Sequence, residues 1–240
     1  MNASTPLAAK ASLRDSVENQ TPDATANPKS TRAKRRTQAE RTALSDARMF
    51  EAAKDLIVEQ GTHATTLKEV GERAGYSRGL ASNRFGSKDA LFAQLTLQFN
   101  NKWTQELAKA VGDRTGAQAC FAALHAVNGF LANNSQYMKA MYILWFQSIS
   151  SHDDARNHLS AYQAIYRRDV THWVREGIER GEIDRNVDAD CYAFQFCSFI
   201  FGTIYQWLVA PDAVDLHKQF ENFRLTTVRE FGIKPDIIQS

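Results

Sequence analysis

TTLKEVGERAGYSRGLASNRFGSK, Thr65 to Lys88, is the stretch on which the fold turns. Thr66 followed at the third position by Glu69 has the form of a capping box, so a short helix starts there and runs through Val70 to about Ala74. Gly75-Tyr76-Ser77 interrupts it. Ser77 is placed to cap a third helix that reaches about Arg84 before Gly86 ends it, and Ser87 caps a longer helix carrying Leu91, Leu95 and Phe99. Two short helices joined by a tight turn containing glycine form a helix-turn-helix, an arrangement whose second helix enters the DNA major groove. Val70, Ala74, Tyr76 and Ala81 fall where the two helices face each other, which leaves Ser77, Arg78, Ser82, Asn83 and Arg84 on the other side.

Outward from this stretch the pattern stays helical. No proline occurs between Lys29 and Pro211, and apolar residues recur at helical spacing instead of alternating, so the body is expected to be all-α. A first helix starts at about Thr37 or Leu44, buries Met49, Ala52, Ala53, Leu56 and Ile57, and stops at Gly61. Beyond Gly112 the capping and stop signals predict helices over 115–133, 135–148, 153–180, 188–209 and 212–231.

Charge is distributed unevenly in the 240 residues, although 29 Lys+Arg and 27 Asp+Glu nearly cancel to +2. The opening segment, 1–36, holds the basic cluster Arg32, Lys34, Arg35 and Arg36 among Pro, Ser, Thr and Asn, with too little apolar surface to offset ordering; it is expected to be a flexible arm able to follow phosphates or enter the minor groove. Three cysteines, Cys120, Cys191 and Cys197, make neither a disulfide framework nor a paired zinc site, which points to a reducing cytoplasm. The polar N-terminus lacks the apolar core of a signal peptide. The charge-free run between Asp190 and Asp212 is interrupted by Gln195, Ser198, Thr203 and Gln206 and reads as a buried helix, not a membrane span. His152, Asp153, Asp154 and His158 cluster at a helix start, where capping and solvation explain them, so neither metal nor cofactor is expected.

Ala52-Ala53, Gly61, Thr65-Thr66, the run from Ala74 to Gly79 and the run from Arg84 to Phe92 resemble the N-terminal domain of TetR-family transcriptional repressors. The resemblance implies a three-helix DNA-binding domain, here 37–98, and a larger helical domain, 99–240, that dimerises and encloses a ligand pocket. Two departures stand out. Ala81-Ser82 replaces the Leu-Tyr pair of many members, and Gly71 replaces an alanine at a helix-propensity cost of about 1 kcal/mol.

For double-stranded DNA, Arg78 and Arg84 suit guanine edges or phosphates, Asn83 has the amide pair that reads adenine, and Ser82 retains one hydrogen-bonding hydroxyl. Thr66, Ser77, Gly79 and Lys88 stand at or next to helix N-termini, where backbone N–H groups favour phosphate, and Arg36 closes the basic arm. One recognition helix buries little surface, whereas two held about 34–36 Å apart meet successive major grooves of a palindromic operator, so a homodimer is expected. Its interface is assigned to the last two helices, through Phe201, Tyr205, Leu208, Leu216, Phe220 and Phe223, residues equally suited to the subunit's own core. The small-molecule effector pocket implied by the resemblance is assigned to Phe121, Leu124, His125, Asn128, Met141, Trp145, Tyr162 and Tyr166. A helical protein-interaction module is the alternative. Gly75-Tyr76-Ser77-Arg78-Gly79 matches the G-x-S-x-G of a nucleophile elbow, but a capped helix precedes it where an elbow needs a strand, so no enzyme is expected.

Overall fold

The computed structural model describes residues 37–150, 154–230 and 232–233; the basic arm, Arg36 included, lies outside them. Among the described residues there are helices and no strands: α1 (Gln38–Ala64), α2 (Leu67–Arg73), α3 (Leu80–Phe85), α4 (Lys88–Val111), α5 (Gly116–Ile149), α6 (Asp154–Glu179), α7 (Ala189–Val209) and α8 (Leu216–Glu230). No helix among the described residues is long and apolar enough to cross a membrane.

Boundaries follow local chemistry, with three differences from the expectations. α1 buries the anticipated face, Met49, Ala52, Ala53, Leu56 and Ile57, but Gly61, at φ 77°, bends the chain without ending the helix, which resumes to Ala64. The two helices expected on either side of 134 form one element with a kink at Asn134, whose Nδ2 donates to Phe130 O at 2.8 Å and stands in for the interrupted ladder. α8 starts at Leu216 and not at Asp212, because Ala213 N–H turns back to Ala210 O at 3.1 Å and Asp215 Oδ1 accepts the Lys218 N–H at 3.0 Å.

α4 runs without a break from the helix-turn-helix side into the helical body, across the expected division at 98/99. Two phenols hold it there. Tyr137 on α5 donates to Leu95 O at 3.2 Å, and Tyr166 on α6 donates to Asn100 Oδ1 at 2.6 Å, while buried Asn100 donates back to Thr96 O at 2.9 Å. Burial pushes both hydroxyls well above the usual phenol range, so they remain donors. Tyr166→Phe strands the Asn100 acceptor; thermal unfolding is expected to show a loss of about 1–3 kcal/mol.

α5 and α6 cross at two glycines. A Cβ on Gly177 would lie 3.2 Å from Gly116 Cα and 2.6 Å from Ile183 Cδ1, so only hydrogens fit where the two backbones meet.

Candidate functional site

The helix-turn-helix is assembled by short-range side-chain and backbone hydrogen bonds. Thr66 caps α2: its Oγ1 accepts the Glu69 N–H at 3.2 Å while Glu69 Oε2 accepts the Thr66 N–H at 3.0 Å. The Thr66 hydroxyl, 2.8 Å from Glu69 Oε2, and to a lesser degree the Thr66 N–H stabilise the charged form and hold the Glu69 carboxyl below the usual range. Thr66→Ala is expected to lower stability by about 1 kcal/mol in a denaturant titration. The chain then turns through Gly75 at φ +80°, with Tyr76 N–H donating to Gly71 O at 2.9 Å. Gly71 has a reason to be glycine: a Cβ there would stand 2.9 Å from Ser77 O, so the turn lies directly on the α2 backbone.

Ser77 does not cap α3. The helix begins at Leu80 behind Gly79, without a side-chain cap, because the Ser77 carbonyl takes the Leu80 N–H at 3.0 Å and the intervening residues close a turn. Ala81 and Phe85 anchor α3 inward, Phe85 against Phe50 with ring centroids 5.4 Å apart. Ser82, Asn83 and Arg84 are exposed on the outer edge, and Thr66, Ser77, Arg78 and Gly79 are exposed beside them.

The cations of this surface are tethered rather than isolated. Arg78 pairs with Glu72, and its side chain is 75% exposed; Arg84 Nε lies 3.3 Å from Asp46 Oδ1 on α1. Lys88 Nζ donates to Thr62 O at 3.0 Å and His63 O at 3.4 Å, so its charge meets the carbonyl end of α1. An exposed pair such as Arg78–Glu72 contributes at most about 1 kcal/mol and is readily exchanged for phosphate.

A second feature lies deeper. Between α4, α5, α6 and α7 is a cavity of about 80 Å³ whose walls include Phe99, Trp103, Tyr142, Trp145, Tyr166 and Phe201. The rings pack edge to face, Phe99 against Trp145 at 5.5 Å and Trp145 against Phe201 at 6.0 Å. Tyr142 donates its hydroxyl to Phe201 O at 2.8 Å, and Asp169 is the one carboxylate in the lining among the described residues. Of the residues the sequence assigned to a pocket, Trp145 and Tyr166 border this cavity, and Tyr162 borders a larger one of about 270 Å³ nearer α2 and α3 in the chain, beside the first turns of α4. Leu124 and Met141 are buried in the core, His125 is exposed and Asn128 half-buried. Phe121 lies under the Arg224 guanidinium, 5.7 Å from the ring centroid. Phe99, Trp103, Tyr142 and Trp173 also line the cavity and are not among the residues expected there. A signal for the last was present: Tyr166, Asp169, Val170 and Trp173 follow i, i+3, i+4, i+7 spacing on α6.

The α7–α8 surface divides likewise. Phe201 turns into the cavity, and Phe220 and Phe223 pack within the subunit on Phe199, the latter stacked at 4.0 Å. Leu208 and Leu216 are half-buried, whereas Tyr205 is exposed together with Phe194 and Val209, 61% and 67% accessible. Burial pushes the Cys120 thiol up to about 12 and Cys197 to about 11, so both are inert packing groups at neutral pH. The described residues contain no group of three His, Cys, Asp or Glu able to hold a metal ion, and the Gly75–Gly79 run follows a helix, not a strand.

Residues 50–95 match the model of the bacterial regulatory proteins of the tetR family. The HTH-type transcriptional regulator YvkB of Bacillus subtilis is 25% identical over 71% of this chain and 86% of its own length. The HTH-type transcriptional regulator TtgR of Pseudomonas putida is 26% identical over 79% of this chain and 92% of its own. Among solved structures, SmeT, the repressor of the Stenotrophomonas maltophilia multidrug efflux pump SmeDEF, superposes in its triclosan complex with a TM-score of 0.67 at 19% identity, over 80% of this chain and 92% of that one. In its helix-turn-helix segment and along most of its length this chain is therefore similar to DNA-binding transcriptional regulators of the TetR family.

Proposed function

We propose that the chain is a dimeric repressor that holds a palindromic operator through α3 and lets go when a small apolar molecule enters the aromatic cavity. The division of labour follows the chain: 37–98 for DNA, 99–240 for effector and partner, the basic arm for flanking phosphates, all in the cytoplasm where the DNA is. One observation carries the reading. α4 begins beside the exposed edge of α3 and, farther along, supplies Phe99 and Trp103 to the cavity wall.

The small size of the cavity supports a population shift. About 80 Å³ is less than the roughly 150 Å³ that accommodates a benzene ring, so an effector fits only after the walls separate. A ligand that binds the separated form better lowers operator affinity by the same difference. SmeT, of the same fold, has been solved with triclosan, which favours apolar aromatic effectors here. The deciding experiment is recovery of genomic fragments on the purified protein followed by footprinting. Two protected half-sites about one helical turn apart are expected, and the absence of any enriched site would overturn the reading.

A further inference from the structure

Two arginines border the outer edge of α3, and each meets a carboxylate through its Nε: Arg78 with Glu72 of α2, Arg84 with Asp46 of α1. They are not equivalent. The Arg78 side chain is 75% exposed and its guanidinium stands in solvent, whereas the side chains of Arg84 and Asp46 are 32% and 27% exposed and hold each other between α3 and α1. Asp46 Oδ1, the oxygen 3.3 Å from Arg84 Nε, is buried without a hydrogen bond, so the guanidinium beside it is what compensates its charge.

The helix places this pair at the edge that would read DNA. Ala81 and Phe85 point inward, so at about 100° per residue Asn83 is outermost and Ser82 and Arg84 flank it on opposite sides, Arg84 on the side of α1. A guanine takes two donors of one fork, at O6 and N7 together, and therefore requires a guanidinium plane that is already set; a phosphate accepts a cation from many directions. The contact at Nε fixes that plane and leaves the Nη1–Nη2 edge for a second partner. The carboxylate alongside repels a phosphate but not an uncharged base edge.

We propose that Asp46, on α1 and outside the recognition helix, is a positioning residue that commits Arg84 to a guanine and so sets the base preference of the operator at one position. The proposal rests on the operator reading above. It also divides the two arginines, the exposed Arg78 serving the backbone and the held Arg84 serving a base.

The test is fluorescence anisotropy of the full-length protein on the recovered operator and on versions changed at each base pair of one half-site in turn. For the parent, replacing one G·C pair is expected to weaken binding by about 5- to 150-fold through the loss of a bidentate contact. In Arg84→Lys, which keeps the charge and loses the fork, the same replacement is expected to matter by less than about threefold. Asp46→Asn, an isosteric change, and Asp46→Ser are expected to flatten the profile at that position and no other, and Asp46→Asn combined with Arg84→Lys to flatten it no further. Circular dichroism confirms that each variant is folded. A purely structural Asp46 would lower Tm and leave the profile of base preference intact, and that result overturns the proposal. So does a preference lost in Arg84→Lys but kept in both Asp46 variants, a loss spread evenly over all positions, or no guanine whose effect depends on Arg84. Each of these leaves the repressor reading standing, whereas a parent that binds no operator removes both.

Discussion

Asn83→Ala is expected to lower operator affinity by roughly 30-fold to 10⁴-fold with little change in its salt dependence. Asn83 is exposed in the middle of α3, on the edge opposite Ala81 and Phe85, where its amide can address an adenine with donor and acceptor together. Loss of one such base contact costs about 1–3 kcal/mol, and the proposed dimer loses it in both half-sites. Because the side chain is neutral, counterion release is untouched. Arg78→Ala should behave differently: it removes a cation from each subunit, so the slope of log affinity against log salt falls by about 1 per subunit while sequence preference is kept. Fluorescence anisotropy on the recovered operator at several salt concentrations separates the two. An Asn83→Ala protein that binds like the parent would show that α3 does not read bases at this position. Arg84→Ala needs a stability control, since it also removes the ion-pair partner of Asp46.

Gly177→Val is expected to be the most damaging single change in the body of the protein, at about 3 kcal/mol. The added carbons meet Ile183 Cδ1, which can move, and Gly116 Cα, which cannot without separating α5 from α6. For a folded region of this size the loss corresponds to a fall in Tm of roughly 6–12 °C in a calorimetric scan. Gly129→Ala is the matched control. It lies exposed within α5, a Cβ there meets nothing within 4 Å, and about 1 kcal/mol of added stability is expected from helix propensity. A Gly177→Val protein with parental Tm would mean that the crossing is looser than its geometry indicates.

The helix-turn-helix was legible because its signals are local. The Thr66–Glu69 box, the left-handed Gly75 and the Ser87 cap each depend on residues at most three apart, and each was readable in isolation. Ser77 was misread as a cap since a Ser before a polar helix has the same appearance whether the helix begins one residue later or three. The helical body was less legible. Which way Phe201, Met141 or Leu124 points depends on the Asn134 kink and on how closely α5 and α6 approach at Gly116 and Gly177, and neither is encoded in the spacing along a single helix. The charge-free run of α7 is apolar on almost every side, so periodicity does not distinguish the cavity-facing Phe201 from the exposed Phe194.

The lysine that joins α4 to the last carbonyls of α1 has a mechanical consequence. With Lys88 Nζ fixed to Thr62 and His63, the first turn of α4 cannot pivot independently of α1, and α1 carries Phe50, against which α3 rests. At 1.5 Å per residue the 24 residues of α4 make a lever about 36 Å long, so a swing of about 5° around its far end sweeps the near end through about 3 Å. That arc is a quarter of a major-groove width, about 12 Å, and it displaces the whole helix-turn-helix at once.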